Sequence, residues 1–173
     1  EESGDLYKKE YEGLYCIGHE AFIKKSELVD GLCSLHKTEP EKVKEENWFF
    51  KLTKYKKEIR KKIELDEFKI VPETRVHELL NLLDDAEDVS FSRPSKDLKW
   101  GIPVPNDDTQ TVYVWADALT NYISALGYDS SGSDLGGERS DLFERFWPAD
   151  VHLVGKDILR FHAMIWPAML MSV

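Results

Sequence analysis

Two Cys/His pairs near the amino end, Cys16-x-x-His19 and Cys33-x-x-His36, constrain this chain more than any other feature. A two-residue gap lets one tight turn aim both side chains at a common point, and Gly18 and Gly31 stand where such turns resist other residues. With 13 residues between the pairs, four soft or borderline donors can complete one tetrahedral zinc shell. A closed shell of Cys16, His19, Cys33 and His36 is structural rather than catalytic. The alternative is that the cysteines are small core residues and the histidines incidental. Two cysteines do not build a disulfide scaffold, so a reducing intracellular compartment is expected.

The first forty residues otherwise mix single aromatics with glycine, which predicts short strands and turns with Tyr11 to Cys16 and Leu32 to His36 as the two arms. Residues 41 to 66 carry Trp48, Phe49, Leu52, Tyr55, Ile59 and Ile63 at roughly three-to-four spacing among lysines and glutamates, which predicts an amphipathic helical region. Val71-Pro72-Glu73 breaks it, and a second helix is expected over Glu73 to Leu83, with Val76, Leu79, Leu80 and Leu83 on one face. Pro94, Gly101, Pro103 and Pro105 make Ser90 to Pro105 an irregular crossover and a module boundary. Beyond it, Thr111 to Trp115 reads as a strand running into a helix over Ala116 to Leu126. Asp129 to Ser140, rich in glycine and serine, reads as a loop. Val151 to Val154 reads as a second strand, Gly155-Lys156 as a turn, and Asp157 to Met171 as an apolar helix interrupted by Pro167. Strand, helix, loop, strand and helix in succession predict an α/β fold with a parallel sheet.

Charged residues make up 32% of the chain and no apolar stretch approaches the roughly 20 residues that cross a bilayer, so a helical membrane span is excluded. The start, Glu1-Glu2-Ser3-Gly4-Asp5, shows neither an apolar signal core nor an Arg-rich helix, and reads as the beginning of an excised or processed piece. A net charge of −10 opposes nucleic-acid binding by the whole surface. Between Lys37 and Lys62, however, ten basic residues face five acidic ones, a local surplus suited to phosphate contacts. A solvated helix face explains the same lysines.

Chemistry is concentrated in the carboxyl half. Trp115, Ala118, Leu119 and Tyr122 fall at i, i+3, i+4 and i+7, on one side of a helix at a strand's carboxyl end, where open α/β sheets place ligands. An aromatic wall, a small residue and a phenol suit an apolar side chain with one polar atom, although spacing alone favours an ordinary buried face. Gly155-Lys156-Asp157 stands at the next strand-to-helix turn, where a helix amino end attracts anions and Asp157 either caps the helix or holds an ammonium group. Phe161 and His162 follow one turn on, and a histidine there reads first as a hydrogen-bonded packing residue. No Gly-rich phosphate loop, HExxH or nucleophile elbow occurs in the chain.

Several stretches, in this order, resemble the methionyl-tRNA synthetase family of class I aminoacyl-tRNA synthetases. They are Tyr11-Glu12-Gly13-Leu14-Tyr15-Cys16, Glu45 to Phe50, Ser92-Arg93-Pro94, Trp100 to Pro105 and Val114 to Leu119. The most diagnostic are Gly155-Lys156-Asp157-Ile158-Leu159-Arg160-Phe161-His162-Ala163 and Trp166-Pro167-Ala168-Met169-Leu170. The resemblance implies a Rossmann-like catalytic domain with an inserted zinc-knuckle and helical connective-peptide domain. Residues 1–90 would be the insertion, with its knuckle at about 11–40, and residues 91–173 the start of the second catalytic half. It implies ATP-dependent activation of methionine to methionyl-adenylate, with magnesium accompanying ATP, and transfer to tRNA(Met). It also implies that the family's HIGH-type motif precedes residue 1 and its KMSKS loop follows residue 173, so that this chain needs the remainder of the synthetase as partner and is inactive alone. Bacterial cytoplasm or mitochondrial matrix is the expected location.

By the same resemblance, Trp115, Ala118, Tyr122, Phe161 and His162 correspond to the methionine side-chain pocket, with Tyr122 near the sulfur. Asp157 matches the aspartate that holds the ammonium group, Gly155 and Lys156 fall beside ATP, and Arg93 matches an arginine assisting activation, where a guanidinium stabilises charge on the α-phosphate. Two departures stand out: Ala116 where many members have Phe or Leu, expected to remove bulk beside the pocket, and His19 where zinc-binding members commonly have Cys. The short insertion leaves no room for a large editing domain, so discrimination rests on the pocket, where one methylene is worth about 1–3 kcal/mol. Two other readings are a non-enzymatic zinc-knuckle module binding RNA or protein, which would have no use for the carboxyl-half pocket, and a bare structural fragment.

Overall fold

A computed structural model describes residues 3–19, 21–23, 25, 28–96, 98, 100–128 and 138–173; at 19, 21–22 and 138–141 it describes the backbone only. Its frame is a long antiparallel ribbon. Strand β1 (Leu6–Cys16) pairs with β5 (Glu41–Phe50) in continuous register from Leu6 opposite Phe50 to Tyr15 opposite Glu41. At the tip, a 3-10 turn (Ile17–His19) reverses the chain into β2 (Ala21–Ile23), which returns along β1. The short hairpin of β3 (Leu28–Val29) and β4 (Leu32–Cys33) follows, turned by Asp30 and Gly31 with φ of 53° and 81°. Positive φ at both central residues is the type I′ turn that Asp-Gly favours. Of the two expected arms, Tyr11 to Tyr15 pairs with β5 and Cys16 with Ala21 of β2, while Cys33 comes from the separate hairpin.

Residues 41–50 form a strand where the aromatic spacing predicts a helix. Helical periodicity holds only for Leu52, Tyr55, Ile59 and Ile63, the buried face of α1 (Leu52–Glu64). In β5, Trp48-Phe49-Phe50 favours a pleated surface, and the complete ladder with β1 overrides the apparent period. Helix α2 (Thr74–Asp84) lies within a residue of its expected bounds and buries Leu79 and Leu83 against α1. The ribbon base is fastened by ion pairs. Burial pushes the Asp5 carboxyl up, but the Lys54 ammonium and the Tyr55 hydroxyl bonded to it outweigh that and hold it below its ordinary value. Lys8, then Thr109 and Trp48, hold Asp107 far below the usual carboxylate range.

The Pro-rich crossover is more ordered than expected. After β6 (Val89–Ser90), which extends the ribbon beside β5, β7 (Ser92–Pro94) and β8 (Pro103–Val104) flank β9 (Asp107–Val112) in a second antiparallel sheet. The first core residue past 90, Phe91, stacks on Phe50 at 4.9 Å, and one cluster unites Leu52, Ile59 and Leu79 with Leu119, Phe161 and Trp166.

Three expectations for the carboxyl half are corrected. Every strand pairing among the described residues is antiparallel, so these residues form no parallel sheet. Strand β9 ends at Val112, and Tyr113, whose N–H donates to the Phe91 carbonyl at 2.8 Å, hands over to α3 (Val114–Ser124), so Val114 and Trp115 are helical. Residues 151–155 are extended without a ladder, and the single long helix after them is a 3-10 turn (Lys156–Ile158), a π turn (Phe161–Ile165) and α5 (Trp166–Leu170). Pro167 sits at the start of α5; lacking an N–H for the Ala163 carbonyl, it relaxes the preceding turn to the wider π spacing. Helix α4 (Glu138–Phe146) precedes them. Most of the loop expected at 129–140 lies outside the described residues.

Candidate functional site

Helix α3 buries Ala116, Leu119 and Ile123, while Trp115 and Tyr122 meet rings of the segment at 152–166 and Ala118 falls on their side of the helix by its spacing. The Trp115 ring stacks on Phe161 at 4.0 Å and 11° from parallel, and meets His162 edge-on at 6.1 Å. Tyr122 Oη lies 2.9 Å from His162 Nε2, while His162 Nδ1 lies 3.0 Å from the Ile158 carbonyl. A carbonyl only accepts, so Nδ1 carries a proton, and in the neutral imidazole Nε2 is then the acceptor to which the Tyr122 hydroxyl donates. The buried His162 thereby ties α3 to the π turn. Ala118 is exposed and Tyr122 is 39% exposed, so this aromatic site opens to solvent.

Three aromatic members escaped the sequence reading. Tyr122 also meets His152 edge-on at 4.7 Å and Trp166 at 6.0 Å, and Trp147 stands edge-on to both His152 and Trp166. The sequence carries no signal that singles out His152: its place shows only in the packing, where Val151 and Leu153 are 77% and 97% exposed while His152 turns inward. Burial, then the neighbouring His162, pulls the His152 pKa below its ordinary value.

Gly155 precedes the 3-10 turn in extended conformation, with open space where a Cβ would stand. Lys156 and Asp157 are exposed on that turn, and no side chain caps it at Gly155. A three-residue turn replaces the helix whose amino end was to attract an anion, so that reading loses its basis. Arg93 lies on β7, with Nη1 donating to Ser90 Oγ at 2.9 Å and the Ser92 carbonyl at 2.7 Å, and its guanidinium 4.4 Å from the Tyr113 ring centre. Burial draws its pKa down against the pull of Tyr113 and Glu45. Arg93, Arg160 and Phe161 line one cavity of about 400 Å³. A larger apolar cavity, about 670 Å³, lies on the other face of α3 and is lined by Ala116, Ile123, Phe50 and Trp166. Ala116 therefore enlarges that cavity, not the Trp115–Tyr122 site as expected.

At the ribbon tip, Cys16 Sγ, Cys33 Sγ and a ring nitrogen of His36 lie within 4.8 Å of one another. Both sulfur atoms are 3.7 Å from His36 Nδ1. Tetrahedral zinc with ordinary Zn–S and Zn–N bonds sets that edge at about 3.6 Å, so the donor set fits. The His36 amide points at Cys33 Sγ at 3.3 Å, and a Cβ on Gly18 would come within 2.5 Å of the His36 ring. The absent side chain at Gly18 is thus the cradle of His36. The side chain of His19, the fourth expected ligand, lies outside the described residues. Ten ribbon residues at about 3.3 Å each place the tip some 33 Å along the ribbon from Leu6.

The family model for tRNA synthetases class I (M) matches residues 8–173. The methionine--tRNA ligase of Clostridium tetani is 49% identical over 99% of this chain and 26% of its own length. The chloroplastic/mitochondrial methionine--tRNA ligase of Arabidopsis thaliana is 45% identical over 98% of this chain and 27% of its own. The solved Mycobacterium tuberculosis methionyl-tRNA synthetase in complex with methionyl-adenylate superposes with a TM-score of 0.80 at 39% identity, covering 99% of this chain and 33% of that one. The chain thus spans about a quarter to a third of the relatives it matches. With a family model spanning all but its first seven residues, the chain belongs to the class I tRNA synthetases.

Proposed function

We propose that this chain is the connective insertion (1–90) and the start of the second catalytic half (91–173) of a methionine–tRNA ligase, which activates methionine with ATP and transfers it to tRNA(Met). The observation that carries this reading is the aromatic site of Trp115, Ala118, Tyr122, Phe161 and His162, held by the Tyr122–His162–Ile158 hydrogen-bond chain. Flat aromatic walls suit a flexible thioether, and sulfur meets aromatic rings favourably, by about 0.3–1.5 kcal/mol. The exposed Asp157 carboxylate pairs with the substrate ammonium, and the open space at Gly155 admits ATP beside Lys156. The methionine carboxylate oxygen bonds to the α-phosphorus as its bond to pyrophosphate breaks, and magnesium travels with the ATP. Arg93, anchored through Nη1, offers its charge to the oxygen that becomes more negative. The remaining ATP machinery belongs to the rest of the synthetase, with which residues 151–155 would also complete a parallel ladder.

Cys16, Cys33 and His36, with His19, would hold a structural zinc, whose chemistry is to lock the ribbon tip. The basic stretch supports tRNA contact less than its composition suggests. Lys44, Lys54, Arg60 and Lys62 pair with Glu10, Asp5, Asp84 and Glu67, Lys51 donates to the Gly4 carbonyl and Lys56 to the Asp84 and Ala86 carbonyls, leaving exposed Lys37, Lys42, Lys57 and Lys61 as the phosphate-facing candidates. No helix among the described residues is long and apolar enough to cross a membrane. The bacterial and organellar relatives support a bacterial cytoplasm or mitochondrial matrix as the location.

The test is calorimetry of methionine against a full-length ligase carrying this segment, with zinc quantified in the same sample. Binding that Asp157→Ala abolishes supports the proposal; no binding, or binding indifferent to Asp157→Ala, refutes it and favours a zinc-knuckle binding module.

A further inference from the structure

The Tyr122 hydroxyl can serve a ligand only while its ring stays over His162, yet Tyr122 is 39% exposed on the open side of α3. Trp166, a buried residue of α5, backs the ring at 6.0 Å and a 48° tilt. The closest ring is that of His152, 4.7 Å away and nearly perpendicular at 78°. His152 comes from the unpaired extended segment, where turning it inward leaves Val151 and Leu153 in solvent. Two further rings hold it in place, Trp147 at 6.4 Å and His162 at 6.2 Å. Burial and the nearby His162 both pull its pKa below the ordinary histidine value.

We propose that His152 is a positioning residue for side-chain specificity: it packs edge-on against Tyr122 and holds the phenol at His162, so that the hydroxyl, its one proton shared between His162 Nε2 and the incoming sulfur, stands against the thioether. This role rests on the methionine reading of the site. It predicts that His152 contributes to discrimination only through the Tyr122 hydroxyl. The natural probe is norleucine, in which a methylene replaces the sulfur and the shape is nearly unchanged.

The test is ATP–pyrophosphate exchange with methionine and norleucine in a full-length ligase carrying this segment, for wild type, His152→Ala, His152→Phe, Tyr122→Phe and the His152→Ala/Tyr122→Phe double variant. One edge-on aromatic contact corresponds to about a fivefold effect. His152→Ala should lower the methionine-over-norleucine ratio of kcat/KM by that factor through the methionine KM, with kcat changed less than twofold. His152→Phe, which keeps an aromatic edge, should restore most of the ratio. In the Tyr122→Phe background, His152→Ala should have no further effect on it. An unchanged ratio in His152→Ala, or an equal drop in both backgrounds, overturns the positioning role. If Tyr122→Phe itself leaves the ratio unchanged, the thioether reading of the pocket fails and the positioning role falls with it. Should His152→Ala not fold, His152→Gln, which removes the ring but keeps bulk, carries the same cycle.

Discussion

The ribbon tip and the aromatic site are built in opposite ways. Cys16, Cys33 and His36 come from one short stretch and meet through turns, an Asp30-Gly31 hairpin and the bare Gly18 that makes room for His36. Trp115, Tyr122, His152 and His162 come from α3, an extended segment and a π turn, and meet only because Leu119, Phe161 and Trp166 are packed into one core. A locally closed site depends on its donors and turns. A site closed by tertiary packing depends on the core beneath it.

The sharpest way to break this contrast is at the donors. Cys33→Ala should eliminate stoichiometric zinc, read by atomic absorption, because the remnant, Cys16 with His36 and His19, keeps only one thiolate and holds the ion far more weakly. The methionine affinity of the full-length ligase should move little. Retained zinc would refute the tip as a metal site, and lost methionine binding would refute its independence.

The reciprocal change is in the core. Leu119 is fully buried beneath the aromatic site, and Leu119→Ala should cost about 3 kcal/mol, read as a lower midpoint in denaturant. The variant should bind zinc as before at temperatures where it remains folded. Concerted loss of zinc and core would mean that the two regions are one cooperative unit.

A milder perturbation sharpens the difference. Gly18→Ala places a methyl against the His36 ring and should weaken zinc affinity by about tenfold in a chelator competition, the size of effect known for changes around metal ligands. An unaltered affinity would show that His36 moves freely and is not cradled.

The smallest effect concerns the ribbon base, which links the two. Asp5 and Asp107 are held below their ordinary values by Lys54 and Tyr55, and by Lys8, Thr109 and Trp48, so both bind protons more weakly folded than unfolded. Their contribution is therefore present above about pH 4 and lost as the pH falls through their folded values. Denaturant midpoints measured between pH 6 and 3 should fall, and Asp107→Asn should flatten that fall. An equal slope in the variant would show that the Lys8–Asp107 pair contributes nothing.

The same contrast explains what could be read in advance. The α2 helix and the Trp115, Ala118, Tyr122 spacing were legible because their period is local and matches a helix face. Residues 41–50 were misread because Trp48, Phe49 and Leu52 imitate a helical period, while the partner that makes them a strand lies some 35 residues earlier in β1. Ala116 was assigned to the wrong face of α3, since spacing gives relative angles but not which side meets the core. His152 was passed over because its role needs Tyr122, 30 residues away, and an inward turn that only packing shows.

By itself the sequence determined the donor set at the tip, the glycines that let it close, the apolar faces of α1 and α2, and the ordered motifs of a class I synthetase. These are matters of residue type and short-range spacing, which covalent geometry carries directly. Only the tertiary structure decided that the sheets are antiparallel, that the last helix breaks into a π turn, and that His152 joins Tyr122 and His162. Those outcomes depend on contacts between distant segments, whose free energies compete across the whole core and leave no local periodicity.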